Sequence, residues 1–194
     1  MTTPVDIGTS RLRLRDFVPA DRAAFVAYQC DPRYSRLYGY DDARGQAEAL
    51  FDRFLDWQRD TPRPNIQLGI FDRATGRLCG SAGLRIRAAD RSEAMFGIEL
   101  APADWGRYAV ALTASACLID YGFETLGLRT IAGETASGNH RVARLAQWFG
   151  ATETERRPGA DWMTERGWEE VVWTLTADGW KTSSASARLN AATA

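Results

Sequence analysis

Between Arg107 and Leu126 runs a helical pattern that is apolar on most of its faces, with Ala109, Val110, Ala111, Leu112, Ala114, Ala116, Leu118 and Ile119 leaving no broad polar stripe. Such a helix is stable only when other elements cover it, so it belongs at the centre of a fold. A chain of 194 residues, 45% hydrophobic and 11% aromatic, buries the core of one mixed domain and is short for two comparable ones. The expected division is an N-terminal leader over 1–8, a single domain over 9–181 and a tail over 182–194. That tail, TSSASARLNAATA, is small, polar and unpatterned, and is expected to be disordered.

The elements that cover the central helix are read from period and punctuation. Arg11 to Phe17 alternates, with Leu12, Leu14 and Asp16 on one side and three arginines on the other, as a strand with one wet face does. Pro19 and Asp21 open a helix that reaches about Cys30 and is ended by Asp31-Pro32. Ala47, Leu50, Phe51, Phe54, Leu55 and Gln58 recur at spacings of three and four inside Asp41 to Arg59, an amphipathic helix. Gln67 to Asp72 and Leu78 to Arg87 flank the turn Arg73-Ala74-Thr75-Gly76 as a β-hairpin, with Gly80 and Gly83 weakening its second strand or marking a bulge. Glu93 to Ala101 is a third antiparallel strand stopped by Pro102. After the central helix come a strand over Arg129 to Thr135, a short helix over Asn139 to Phe149 with Gly150 at its stop, and a late strand over Glu169 to Thr176. The layout is α+β with a mixed sheet.

Charge and cysteine usage narrow the partners. Lys and Arg number 24 against 25 Asp and Glu, giving a net charge of -1, so no overall field recruits nucleic acid or an acidic membrane. Cys30, Cys79 and Cys117 lie far apart with no CxxC spacing, and His140 is the lone histidine, so no metal is expected. Odd, scattered cysteines fit a reduced cytosol. No basic segment followed by an apolar run opens the chain, and no apolar stretch reaches about 18 residues, so a cytoplasmic protein without a membrane anchor is expected.

The segment FGIELAPADWGRYAVALTAS sets a strand, a proline stop, a turn with Gly106 and a helix N-terminus in immediate succession. A helix N-terminus leaves four backbone N–H groups unpaired and carries partial positive charge, so such a turn can receive a pyrophosphate, and Arg107 can add a charge-assisted contact. Many strand–turn–helix units bind nothing, and the spacing alone does not choose. An unrelated nucleotide-binding domain could use the same helix end, although neither a P-loop nor a GxGxxG is present.

Five segments in order, SRLRLRDFVPADRAAF, FDRATGRLCGSAGLRIR, FGIELAPADWGRYAVA, GNHRVARLAQWFGA and RGWEEVVWTLTADGW, resemble the GNAT superfamily of N-acetyltransferases. Within it they are similar to the branch of ribosomal-protein N-terminal-alanine acetyltransferases and its small-molecule relatives. The resemblance covers about Thr9 to Trp180. It implies a GNAT fold, in which a mixed central sheet is flanked by helices and two parallel strands splay in a V; here these are Phe96 to Ala101 and Arg129 to Thr135. It implies acetyl-CoA or another acyl-CoA as co-substrate and a small-molecule or peptide amine as acceptor, in a monomer or homodimer. The family's pyrophosphate pattern, Q/R-x-x-G-x-G/A, falls on Gly106, Arg107, Tyr108, Ala109, Val110 and Ala111, and Ala109 stands where glycine is usual. Asn139 matches an asparagine that helps hold the pantetheine arm, although Asn is also a preferred N-cap, and Arg144 is placed with the cofactor contacts. Val142 stands where many relatives carry a serine beside the thioester sulfur, and it cannot donate to a leaving thiolate.

Transfer requires a neutral amine set against the thioester carbonyl, a donor for the developing oxyanion and a route for the proton. Resemblance assigns the donor to the backbone N–H of Leu100. Glu99, which breaks an apolar strand, is the first candidate base, and Glu134 on the partner strand is the second. The alternative for each is a carboxylate facing solvent or paired with an arginine. Tyr34, Tyr38, Tyr40, Trp162 and Trp168 are the aromatic candidates for the acceptor pocket, and core packing explains each as well. His140 is read as a surface residue at a helix start. Ala109 and Val142 motivate one further alternative: a GNAT-fold acyl-CoA-binding or regulatory protein without transferase activity.

Overall fold

The alternation near the N-terminus becomes a strand with one dry face. In the computed structural model, which describes residues 3–38, 42–87 and 89–193 and gives the backbone alone at 36–38 and 190–193, β1 (Asp6–Gly8) pairs antiparallel with β2 (Leu12–Asp16). Leu12 and Leu14 are buried, while Arg13 and Arg15 turn outward to Asp6 and Asp21. Asp16, on the inward side, is held by Arg63 at 2.6 Å. β1 occupies the expected leader; a three-residue strand is too short to show a period, so its pairing is legible only in three dimensions.

Chain contacts divide the fold into two compact units, Met1–Arg85 with Gly97–Leu118 and Ile86–Phe96 with Ile119–Ala194. In the first, α1 (Arg22–Gln29), α2 (Pro32–Tyr38) and α3 (Ala43–Trp57) accompany β1, β2, β3 (Asn65–Asp72) and β4 (Leu78–Ile86). Pro32 does not simply end a helix: the chain breaks at Cys30–Asp31 and Pro32 opens α2, where its fixed φ suits a first helical turn. Asp42 caps α3 by accepting from the Gly45 N–H at 2.9 Å. Phe17, Phe25, Phe51 and Phe54 fill the core, with Phe17 edge-on to Phe25 and Phe51 at centroid separations of 5.6 and 5.4 Å.

β3 and β4 pair antiparallel as the hairpin pattern predicts, and the register shifts between Ile70 and Phe71, so that Gly80 and Leu78 lie opposite neighbouring residues. Of the two readings of the glycines, weakened strand or bulge, the irregularity falls beside Gly80, whose φ is +154°, while Gly83 pairs in register with Gln67. A Cβ on Gly80 would lie 2.2 Å from the Glu99 carbonyl oxygen and 2.8 Å from the Leu100 Cα, so glycine lets β4 approach β5 (Glu93–Leu100) at that point.

The second unit contains β6 (Thr130–Ala136), α5 (His140–Trp148), β7 (Thr152–Pro158), α6 (Asp161–Thr164), β8 (Glu169–Thr176), α7 (Ala177–Lys181) and α8 (Ser184–Thr193). β5 and β6 pair in parallel over Glu93–Met95 and Thr130–Ala132, and the ladder ends there, where the resemblance expects the two strands to splay. Hydrogen bonding orders the strands β1-β2-β3-β4-β5-β6-β8-β7, a mixed sheet as expected. The central helix is α4 (Tyr108–Asp120), continued by a π-turn over Tyr121–Thr125. Ala114, Ala116, Cys117, Leu118 and Ile119 are buried along it.

The expected disordered tail is corrected. Residues 184–193 form α8, because the Ser183 hydroxyl caps it by accepting from the Ser186 N–H at 3.0 Å and because Ala185, Ser186 and Leu189 are buried. Small side chains carry a weak hydropathy signal even where they pack closely, so the pattern did not betray the helix. β7 was also unread: its exposed TETERRP sequence has no apolar face, and among the described residues it pairs as a strand with β8 alone.

Substituting Gly80→Ala drives a Cβ into the β5 backbone and imposes a φ that L-residues avoid. Urea denaturation should show a loss of about 2–4 kcal/mol; an unchanged midpoint would mean that the β4–β5 approach has slack.

Candidate active site

Glu99 is half-buried on β5, and among the described residues it meets hydroxyl and amide donors and no arginine. The Tyr28 hydroxyl donates to its Oε1 at 2.7 Å, the Gln29 amide donates to the same oxygen at 2.7 Å, and the Ser81 hydroxyl donates to it at 3.2 Å. Oε2 accepts a short bond from the Tyr34 hydroxyl. Gln67 supports the cluster by donating to Ser81 Oγ at 3.0 Å. All of these residues belong to the first unit, and the donors Tyr28, Gln29, Tyr34, Ser81 and Gln67 are themselves buried. Burial first, and then the adjacent Glu99 carboxylate, push the Tyr28 phenol well above the ordinary tyrosine range. Tyr28 therefore remains a protonated donor at neutral pH.

Sequence placed Glu99 correctly on an apolar strand and missed most of its partners. A signal was present: Gln29 lies on the stripe of Phe25 and Val26 in α1, and Gln67 and Ser81 interrupt apolar runs in β3 and β4. Polar residues at inward positions need partners, and these share one. Tyr34, expected to wall the acceptor pocket, is 3% exposed and engages Glu99 instead. The side chain of Tyr38, and Tyr40 entirely, lie outside the described residues.

Two residues beyond Glu99 the chain leaves β5 through a 3-10 turn, Pro102–Asp104, and enters α4. The Leu100 carbonyl accepts from the Trp105 indole at 2.9 Å, which fixes the exit from the strand. Asp104 is fully buried and accepts from Arg77 at 2.5 and 2.8 Å and from Arg107 at 3.0 Å. Burial alone would raise its pKa, but the Arg77 and Arg107 guanidinium groups outweigh that and hold the carboxyl below its ordinary value. Arg107 thus has a partner inside the protein, although more than half of its side chain remains exposed.

Trp105, Gly106, Arg107, Tyr108 and Ala109 form an exposed run across the turn. The positive φ of this loop falls on Gly106, at +86°, and a Cβ there would meet nothing within 4 Å. Ala109 lies inside the first turn of α4, where its methyl group requires no unusual backbone. Val110 and Ala111 follow as half-buried residues of the same helix. The alanine at the glycine position is therefore accommodated by helical geometry.

In the second unit, Asn139 caps α5, its side-chain oxygen accepting from the Val142 N–H at 3.3 Å. Val142, Arg144 and His140 are exposed on α5. Glu134, the second candidate base, is held by Arg157 at 2.8 Å in a network that includes Glu155 and Glu170. This is the arginine-paired alternative, since β7 brings Arg157 alongside. Trp168 packs on the backbone at Gly138, and Trp162 is 48% exposed. Among the described residues no cluster of His, Cys, Asp and Glu could hold a metal ion, and no helix is long and apolar enough to cross a membrane.

A mixed sheet with a short parallel pair, a buried central helix entered through a glycine turn, and a caged carboxylate on the strand before it define an acyltransferase-type fold. Residues 11–152 match the family model described as the acetyltransferase (GNAT) domain. The chain belongs to the GNAT family and is an acetyltransferase. It is 29% identical over 139 residues to the uncharacterized N-acetyltransferase YoaA of Bacillus subtilis (strain 168), covering 71% of this chain and 77% of that one. It is similar in structure to a GCN5-related N-acetyltransferase from Brucella melitensis, with a TM-score of 0.75 at 16% identity, over 98% of this chain and 86% of that one. An acetyltransferase from Agrobacterium tumefaciens matches with a TM-score of 0.66 at 25% identity, over 90% and 96% of the two chains. Members of the family use acetyl-CoA as co-substrate.

Replacing Asp104 by Asn removes the carboxylate that accepts from both Arg77 and Arg107, at a cost of about 2 kcal/mol. Because the folded-state pKa is depressed, the wild-type contribution is complete above the unfolded value of 3.8 and disappears as pH falls through the folded one. Urea midpoints should therefore differ fully above about pH 5 and converge in acid. A gap independent of pH would rule out the ion pair as its source.

Proposed function

We propose that this enzyme moves an acetyl group from acetyl-CoA to a primary amine of a small molecule or a protein N-terminus, by direct attack of the amine on the thioester. The observation that carries this reading is the adjacency of Glu99, a carboxylate tethered by four donors, to Leu100, whose N–H is the oxyanion donor by resemblance. The exposed turn at α4 supports a coenzyme site: backbone N–H groups at the helix end and Arg107 would hold the pyrophosphate, and the space over Gly106 is open. By resemblance, Asn139 and Arg144 on α5 are further candidates for coenzyme contacts. Acetyl-CoA, when bound, supplies the activated acyl group.

Each residue then has a stated task. Oε1 of Glu99 accepts three bonds and Oε2 one, so among the described residues Oε2 keeps lone-pair capacity for a proton. Oε2 takes the proton released as the amine attacks, while the three bonds to Oε1 hold the carboxylate in place. Leu100 N–H meets the negative charge that develops on the carbonyl oxygen. Val142 offers no proton to the departing thiolate, so protonation there falls to solvent or to another group. The helical setting of Ala109, which needs no positive φ, supports this reading over that of a binding protein without transferase activity.

Thiol release from acetyl-CoA, followed with a panel of N-terminal peptides, polyamines and aminoglycosides, tests the reading. Glu99→Gln should lower kcat by about 100-fold or more and leave acetyl-CoA binding by calorimetry in place. Full turnover in that variant would remove Glu99 as base; failure of the wild type to bind any acyl-CoA would overturn the proposal as a whole.

A further inference from the structure

The hairpin turn between β3 and β4 and the turn before α4 meet on one carboxylate. Arg77, from the first, donates from Nη1 and Nη2 to the two oxygens of Asp104 at 2.5 and 2.8 Å, and Arg107, from the second, donates from Nη1 to Oδ1 at 3.0 Å. Among the described residues every other carboxylate that forms a salt bridge meets a single arginine. One guanidinium bound through two nitrogens already neutralises Asp104, so the second leaves the cluster with positive charge in excess. Asp72, whose charge also acts on Arg77, is turned into its own hairpin turn, where its Oδ1 accepts from the N–H groups of Ala74 and Thr75 and from the Thr75 hydroxyl.

Both guanidinium groups reach solvent from a buried anchor. Asp104 has no exposure, whereas the side chains of Arg77 and Arg107 are 42% and 56% exposed. Among the described residues Nε of Arg77 and both Nε and Nη2 of Arg107 have no partner. The backbone that presents Asp104 is closed on itself, its N–H donating to the Ala101 carbonyl at 2.7 Å and its carbonyl accepting from the Arg107 N–H at 3.0 Å. A long side chain loses rotamer freedom when it grips a ligand, and the bonds to Asp104 have removed part of that freedom beforehand. Beside Arg107 the space over Gly106 is clear. All of these residues lie in the first unit.

We propose that Arg77 and Arg107, set side by side on Asp104, form a preformed clamp for a phosphate group of the coenzyme. Arg77 is then a coenzyme contact contributed by a hairpin outside the turn before α4. This rests on the coenzyme reading of that turn and adds a residue to it. Excess positive charge with unengaged N–H donors suits phosphate oxygens, which accept from guanidinium groups in charge-assisted bonds. An ion pair that served only to neutralise Asp104 would be complete with one arginine. The coenzyme carries phosphate in two places, its pyrophosphate and its 3′-phosphate, and the test tells them apart.

CoA and 3′-dephospho-CoA are titrated by calorimetry into the full chain, as wild type, Arg77→Gln and Arg77→Lys, at low and at high salt. Arg77→Gln should weaken CoA binding by about tenfold at low salt, and the gap should narrow as salt screens the charges. Arg77→Lys, which keeps the charge and loses the fork, should bind CoA with an affinity between those of the wild type and Arg77→Gln. A deficit shared by 3′-dephospho-CoA assigns the clamp to the pyrophosphate, and one confined to CoA assigns it to the 3′-phosphate. CoA affinity equal to that of the wild type in either variant, or a deficit that high salt leaves whole, overturns the proposal. Arg77→Lys keeps a cation on Asp104, so its comparison decides the matter if thermal melts show Arg77→Gln unfolding near the assay temperature. A wild type that binds no CoA would instead overturn the coenzyme reading on which the clamp rests.

Discussion

A single carboxylate, Glu99, organises the polar interior of the first unit. Four neutral donors from α1, α2 and β4 converge on it, and among the described residues no arginine competes. A charge in that setting is tolerable only because the donors replace water, and the donors in turn would lose a shared acceptor without it. The same bonds therefore fix the helices to the strand and fix the carboxylate against the backbone of Leu100. Tyr28, held protonated by burial and by the adjacent charge, cannot leave this arrangement by ionising at neutral pH.

The turn that follows is stabilised by a different device. Asp104 is an ionised group without exposure, compensated by two arginines that themselves reach solvent. It anchors the loop from below and leaves the upper side, from Trp105 to Ala109, exposed. Rigidity beneath and openness above are what a loop needs in order to receive phosphate groups through its backbone. Gly106 supplies the one left-handed residue of the turn, and the helix begins early enough for Ala109 to fit where glycine is usual.

Much of this was legible in the chain. The apolar faces of α4, the alternation of β2 and the hairpin of β3 and β4 follow from period alone, and β8 was read at its observed bounds. What escaped depends on tertiary placement. β1 and β7 lack a hydrophobic period and exist because a neighbouring ladder holds them; α8 packs through small residues whose pattern is faint. Glu99 stood out as a charge in an apolar strand, whereas its donors lie as far as 71 positions away in the sequence and only the folded helices bring them to it. Glu134 looked comparable in sequence and differs because Arg157 lies alongside it. Local context shows that a carboxylate is special without showing what it touches.

The most direct test of the central claim is chemical rescue: kcat of the wild type and of Glu99→Ala, measured with and without added formate, with the same acceptor and saturating acetyl-CoA. If Glu99 accepts the proton, formate restores part of the rate lost in Glu99→Ala and leaves the wild type unchanged. A Glu99→Ala variant that turns over at the wild-type rate, or whose lost rate formate does not restore, would contradict the account and assign the proton to another group.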